Sequence, residues 1–212
     1  MIKFKELAFI APCMSAEEVR YYLCGVFYQY EHARRMVTIT ATNGHALHSV
    51  RYELTLQEAE ASAPGADASF IFPAPAVKAM LKQGGNFWRV EDNGLEAVDG
   101  ATYAPINGTY PDITRSIPNI TDQTAEHVRA TFNVEYLKRT ASALAVINGA
   151  ALTKKSALCT PIAVFGSDRS ACVMASKDAD ITAAQDYVAG KPGHILILMP
   201  MRSQVSCAGG AA

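Results

Sequence analysis

The 212-residue sequence has no Cys-x-x-Cys pair. Its five cysteines, Cys13, Cys24, Cys159, Cys172 and Cys207, are odd in number and widely spaced. That argues against a disulfide framework or a zinc ribbon and for reduced thiols in a cytoplasmic protein. No stretch approaches the ~18 apolar residues that a membrane helix needs. The apolar part of residues 1–12, interrupted by Glu6, is too short for a signal peptide, so a soluble chain with no membrane partner is expected. Neither sign of charge is in excess: 19 basic residues face 20 acidic ones, for a net charge of -1. A nucleic-acid role therefore requires basic residues gathered on one surface.

Catalytic signatures are missing too. Gly84-Gly85 does not fit a phosphate loop, which requires G-x-x-x-x-G-K-[ST]. His45 and His48 form an H-x-x-H, but they follow a turn and enter a strand, with no carboxylate or cysteine close in sequence to complete a metal site. No histidine-bearing motif surrounds Cys159 or Cys172, which read as small buried hydrophobes. The expectation is a protein that is not an enzyme and needs neither cofactor nor metal.

What is present is an ordinary globular balance, 50% hydrophobic and 18% charged, sufficient for a sizeable core. In a first segment, Phe4, Leu7, Ala8 and Ala11 fall at helical spacing before Pro12. Val26 to Tyr30 is aromatic and β-branched, and Met36 to Ala41 alternates with period two, so the pair predicts a hairpin across the polar residues 31–35. A looser polar stretch, 58–67, reads as the boundary of a second segment. That segment opens with a strand at 68–72 and a helix from Pro75 to about Gln83, closed by Gly84-Gly85. Short strands are expected near 87–90, 95–98 and 102–106, separated by Asp92-Asn93-Gly94 and Asp99-Gly100. A third segment repeats the order, with a strand at 128–132, a helix from Val134 to about Val146, and strands at 162–165, 171–175 and 194–198. Residues 203–212 are mostly small and read as a flexible tail. Phe72 to Lys78 echoes Phe132 to Lys138, with phenylalanine, an aliphatic and lysine at matching offsets. A duplicated α+β architecture of strand-helix-strands units with antiparallel sheets accounts for this echo.

Five stretches carry a more specific resemblance. Arg20-Tyr21-Tyr22-Leu23-Cys24-Gly25-Val26 resembles the R-x-x-L-x-G-V of the middle domain of the bacterial DNA polymerase III beta sliding clamp. Residues 41–47, A-T-N-G-H-A-L, resemble that domain's A-T-D-G-H-R-L, and 110–118, Y-P-D-I-T-R-S-I-P, resemble the Y-P-D-Y-R-R-V-I-P that closes it. Phe132-Asn133-Val134-Glu135-Tyr136-Leu137 resembles the F-N-x-x-Y-L of the last domain, and Leu198-Met199-Pro200-Met201-Arg202 the M-P-M-R at the clamp's end. The order and approximate spacing match. Residues 1–118 are similar to the middle domain and 119–202 to half of the C-terminal domain, so the chain resembles a shortened clamp of the kind a small mobile element carries.

The resemblance implies a DNA-clamp-like fold and a DNA polymerase processivity factor. It would encircle double-stranded DNA nonspecifically, through backbone contacts, as a homo-oligomer. The chain holds roughly three half-domain units, so a ring of the family's size takes several copies. It also implies a hydrophobic pocket that tethers DNA polymerase or other proteins carrying clamp-binding motifs. Carried over residue by residue, its walls are Leu23, Thr42, Gly44, His45, Leu47, Pro111, Arg115, Ser116, Ile197 and Met199. Two positions depart: Ala46 stands where the family has arginine, and Ser116 where it has an aliphatic. The residues expected at DNA are Arg20, Tyr21, Tyr22, Lys78, Lys82, Lys138 and Arg139. Lys78 and Lys82, four apart on one helix, share a face that serves equally as an ordinary solvated surface. The alternative function is a non-encircling, clamp-derived module that binds or competes for clamp partners.

Overall fold

The computed structural model describes residues 2–84, 89–91, 94–96, 100–117, 132–147, 163–165, 171–175 and 181–199. Helix α1, Phe4–Ile10, is followed by a 3-10 turn, Ala11–Cys13, whose Pro12 cannot continue an α-helix. Strand β1, Gly25–Glu31, turns through a 3-10 turn, His32–Arg34, and left-handed Arg35 (φ 49°) into β2, Met36–Thr42. The predicted hairpin is formed, and β3, Ala46–Glu53, extends it as a third strand. Then come α2, Leu56–Ser62; β4, Ala68–Pro73; and α3, Ala74–Gln83, which ends at Gly84 in the left-handed region (φ 67°). Strands β5, Arg89–Glu91, β6, Gly94–Glu96, and β7, Thr102–Tyr103, form a small antiparallel sheet. The remaining elements are α4, Val134–Ile147; β8, Ala163–Phe165; β9, Ala171–Ala175; α5, Ile181–Val188; and β10, Gly193–Leu198.

The main sheet is antiparallel throughout, with order β4-β1-β2-β3-β10-β9-β8. Strands of the first and third sequence segments meet in it where β3 pairs β10, so both segments share one ladder. One face carries Tyr28, Tyr30, Val37, Ile39, Val50, Tyr52, Leu196 and Leu198. These pack against Leu7, Phe9 and Ile10 of α1, Val77 and Met80 of α3, and Ala143 and Leu144 of α4. This is the principal core, and each large apolar side chain fully buried there contributes ~1.5–3 kcal/mol. His48 points into the same core: its Nδ1 donates to the Phe9 carbonyl at 2.8 Å and its ring stacks on Phe9 at 5.0 Å. Close packing also sets one glycine. A Cβ on Gly25 would lie 2.2 Å from the Phe72 carbonyl oxygen, so β1 and β4 approach as closely as they do because position 25 has no side chain.

Several expectations need correction. The polar stretch 58–67 is not a simple boundary, because α2 occupies its first part. Thr55 Oγ1 accepts from the Glu58 N–H at 3.2 Å and the Glu58 carboxylate accepts from the Thr55 N–H at 2.8 Å, a reciprocal cap that starts a helix without a long apolar stripe. Strand β6 is described as far as Glu96, and the predicted continuation to 98 lies outside the described residues; β7 spans two residues, where the sequence predicts 102–106. Phe132 precedes α4 outside any strand, and 128–131 lie outside the described residues, as does the predicted tail. Helix α5 was not anticipated. The other predicted strands and helices are in place to within a residue or two.

Candidate peptide-binding face

Residues directly opposite one another in a ladder project from the same face of the sheet. The face away from the principal core is therefore fixed by register. Thr42 stands opposite Leu47, and Leu47 opposite Ile197, which gives one row across β2, β3 and β10. A second row runs Ile71, Phe27, Thr40, Ser49, Ile195 from β4 to β10. Three expected pocket residues thus share a row, although Ile197 comes from the far end of the sequence. Met199, a fourth, follows directly: its N–H donates to the His45 carbonyl at 2.8 Å.

The turn between β2 and β3 is built by its own polar side chains. Thr42 Oγ1 accepts from the Gly44 N–H at 3.1 Å and donates to the Ala46 carbonyl at 2.7 Å. Asn43 Oδ1 accepts from the N–H groups of His45 and Ala46, both at 2.9 Å. Gly44 has φ +85°, the left-handed conformation glycine adopts without penalty. A Cβ there would lie 2.8 Å from Arg20 Nη1, so the Arg20 side chain rests against this turn. His45 is held outward, its ring stacked on Tyr136 of α4 with centroids 5.6 Å apart.

Leu23 lies further along the same face, in a cluster with Ile71 and Tyr110 that Tyr22, Phe27, Ile106 and Ile113 partly cover. Tyr110 stacks flat on Phe27, centroids 4.7 Å apart and planes 7° apart. Beyond it, Asp112 caps the 3-10 turn Ile113–Ser116 by accepting from the Thr114 N–H at 3.0 Å and the Thr114 hydroxyl at 2.7 Å. The Thr114 hydroxyl, more than its N–H or Arg115, holds the Asp112 carboxyl below the usual carboxylate range. Arg115 is exposed and pairs weakly with Asp112 at 3.7 Å; Pro111 is exposed and Ser116 half-buried. The expected pocket residues thus divide into a buried floor (Leu23, Thr42, Leu47, Ile197) and a rim that reaches solvent.

The basic residues are less concentrated. Lys78 and Lys82 are exposed on α3, opposite its buried Ala76, Val77 and Met80, and neither has an ion-pair partner among the described residues. Lys138 is exposed on α4. Arg139 is engaged: it pairs Glu135 at 3.4 Å and its guanidinium lies 5.9 Å from the Tyr136 ring. Tyr136 therefore links Arg139, expected at DNA, to His45, expected in the pocket. Tyr21 and Tyr22 meet edge to face at 5.6 Å, and Tyr22 backs onto Gly108.

Three contributors lie outside the expected set. Tyr136 and Tyr110 sit inside matched motifs, yet only the structure reveals their contacts. Tyr187 of α5 covers the second row, its hydroxyl 2.5 Å from Ser49 Oγ, while Arg51 donates to the Tyr187 carbonyl at 2.7 Å. Burial pushes the Cys13 thiol up to about 12, so it is not a thiolate nucleophile at neutral pH. Among the described residues no three His, Cys, Asp or Glu side chains gather as a metal site. No described helix is long and apolar enough to cross a membrane.

No protein-family profile matches the chain, and no curated protein matches it in sequence. Solved structures match in fold. The DNA polymerase III beta subunit of Thermotoga maritima aligns with a TM-score of 0.51 at 14% identity, over 94% of this chain and 63% of that one. The Bacillus subtilis sliding clamp gives 0.51 at 12% identity over 94% and 62%. The Bartonella birtlesii beta clamp, solved bound to griselimycin, gives 0.50 at 14% identity over 94% and 63%. The chain has the α+β fold of the sliding clamps and spans somewhat less than two thirds of the length of these proteins.

Proposed function

We propose that the chain is a sliding-clamp-like DNA polymerase processivity factor. In this reading it has no catalytic activity of its own, assembles as a homo-oligomer around double-stranded DNA, and tethers proteins with clamp-binding motifs through the face just described. The observation that carries this reading is the β3–β10 pairing. It sets Leu47 opposite Ile197 and ties Met199 to His45, so that motifs from both ends of the sequence build one apolar floor beneath one polar rim. Leucine, isoleucine and methionine walls accept apolar peptide anchors, and the turn at Gly44 presents main-chain groups that fix direction. The anchors would carry most of the affinity. Exposed Lys78, Lys82 and Lys138 suit phosphate contacts that read no sequence and weaken with salt.

Two experiments test the proposal. A labelled clamp-binding peptide with leucine and phenylalanine anchors should titrate saturably in the micromolar range; absence of saturation sinks the pocket. The protein should stay on closed circular DNA and leave when the circle is linearised. A protein that binds peptide yet remains monomeric and is never retained on circles is the second reading, a non-encircling module that binds or competes for clamp partners. That reading draws support from the contrast between the two sites: Thr42, Gly44, His45, Leu47, Ile197 and Met199 are joined by ladder pairing or hydrogen bonds, whereas the lysines share only exposure.

A further inference from the structure

Tyr110 is 7% exposed, and its hydroxyl has no hydrogen-bond partner, one of three such buried side-chain oxygens among the described residues. The ring is fixed by its flat stack on Phe27 and by Leu23 and Ile71. Burial raises the phenol above the usual tyrosine range and Cys13 adds to the rise. The Thr42 backbone N–H, which can only donate toward the hydroxyl oxygen, pulls it partly back, and the hydroxyl's own proton has no acceptor. The hydroxyl is thus a neutral donor, held beside Leu23 and Thr42, two residues of the pocket floor. A buried donor without an acceptor is unfavourable, and the penalty disappears when an acceptor arrives.

We propose that the Tyr110 hydroxyl is a specificity-determining group of the peptide site, donating a hydrogen bond to a carbonyl oxygen that the bound peptide carries beside its apolar anchor. The inference rests on the peptide-binding reading above. The chemistry is selective because the surroundings are apolar: a ligand with hydrocarbon alone at that point leaves the donor unpaired, and one with a carbonyl there satisfies it. Access is short. Tyr22 and Ile113 cover the cluster and are only half-buried, so a rotamer change in either opens it to the peptide. Without ligand the orphaned hydroxyl opposes folding slightly, which gives the idea two signatures of opposite sign.

The test compares wild type with Tyr110→Phe. The variant keeps the ring, the stack and the volume, and loses only the hydroxyl. The expected result is peptide affinity weakened roughly tenfold, together with a melting temperature of the free protein unchanged or raised by roughly 2–4 °C. The same labelled peptide is then used with any side-chain amide replaced by an aliphatic. Persistence of the tenfold loss places the acceptor in the peptide main chain, and its disappearance places it in the side chain; both outcomes support the proposal. Equal affinity of wild type and Tyr110→Phe overturns it. If wild type itself does not bind, the peptide-site reading fails first, which is a distinct result. Leu23→Ala serves as the reference for ordinary loss of an apolar wall: it should weaken both peptides alike and lower the melting temperature.

Discussion

The Met199 N–H donates to the His45 carbonyl at 2.8 Å, just past the point where Leu198 stands opposite Ala46 in the ladder. This contact extends the β3–β10 pairing into the turn that presents His45. The apolar floor beneath it depends on that ladder, and its buried side chains should behave as core. Leu47→Ala and Ile197→Ala should each destabilise by ~2–5 kcal/mol, read by urea or thermal unfolding, because both side chains are 2% exposed or less. Pro111→Ala and Arg115→Ala, at the exposed rim, should leave stability within about 0.5 kcal/mol of wild type. Comparable losses at rim and floor would contradict the division between them.

Two glycines should respond differently to alanine. At Gly44 a Cβ meets the end of the Arg20 side chain, which can swing away, so the penalty is mainly the left-handed backbone, about 1–2 kcal/mol. Adding Arg20→Ala should then recover little. At Gly25 the Cβ meets the Phe72 carbonyl oxygen, part of the β1–β4 ladder, which cannot move without parting the strands. Gly25→Ala should therefore lose about 3 kcal/mol or more. Denaturant midpoints of the variants check the ranking.

His48 gives the fold a pH dependence. Burial lowers its pKa to about 4, partly offset by the bond to Phe9, and its side chain is nearly inaccessible. The unfolded chain, with an ordinary histidine, binds the proton more readily, so stability rises with pH across the interval between the two values. The contribution is fully present above about pH 6.5 and declines as pH falls toward about 4, by roughly 3 kcal/mol at most. His48→Gln should be less stable at pH 8, through the lost stack on Phe9, but show a flatter slope of unfolding free energy between pH 4 and 6.5. An unchanged slope would mean that other groups carry it.

The sequence was most legible where local pattern and tertiary environment agree. Helix α3 shows proline at its start and glycine in the left-handed region at its end, and β1 is aromatic and β-branched. Helix α2 was legible only as Thr55-x-x-Glu58, since its polar composition hides it from any apolar periodicity. Strand β2 alternates with period two, the mark of a half-buried strand, yet all seven of its residues are buried. Thr38, Thr40 and Thr42 face the second side, where Tyr187 and Arg51 supply cover for the first two through contacts no local window contains. The pocket residues were legible through motif resemblance alone. That Thr42, Leu47 and Ile197 share a row follows from the β2–β3 and β3–β10 registers, which composition and spacing do not encode, and the orphaned Tyr110 hydroxyl is visible only in three dimensions.

The buried hydroxyls around Ser49 yield a prediction from proton counting. Ser49 Oγ lies 2.6 Å from Thr40 Oγ1, 2.5 Å from the Tyr187 hydroxyl and 3.4 Å from the Ile39 carbonyl. Either oxygen of each short pair can be the donor; the arrangement in which Ser49 donates to the Ile39 carbonyl and accepts from both Thr40 and Tyr187 is the one that gives all three hydroxyl protons an acceptor within this group. Ser49→Ala removes the shared acceptor and leaves two buried donors unpaired, at a loss of about 2–5 kcal/mol. Tyr187→Phe removes one donor and leaves the Thr40–Ser49–Ile39 chain intact. Its ring stays under the Arg51 guanidinium at 4.6 Å, so its loss should be about 1 kcal/mol. Adding Thr40→Val and Tyr187→Phe to Ser49→Ala should restore much of the stability lost in the single variant, because no orphaned donor remains. Urea unfolding of the four proteins measures this directly. A triple variant weaker than Ser49→Ala would show that the hydroxyls hold α5 to the sheet through bonds whose net contribution exceeds the penalty of leaving them unpaired.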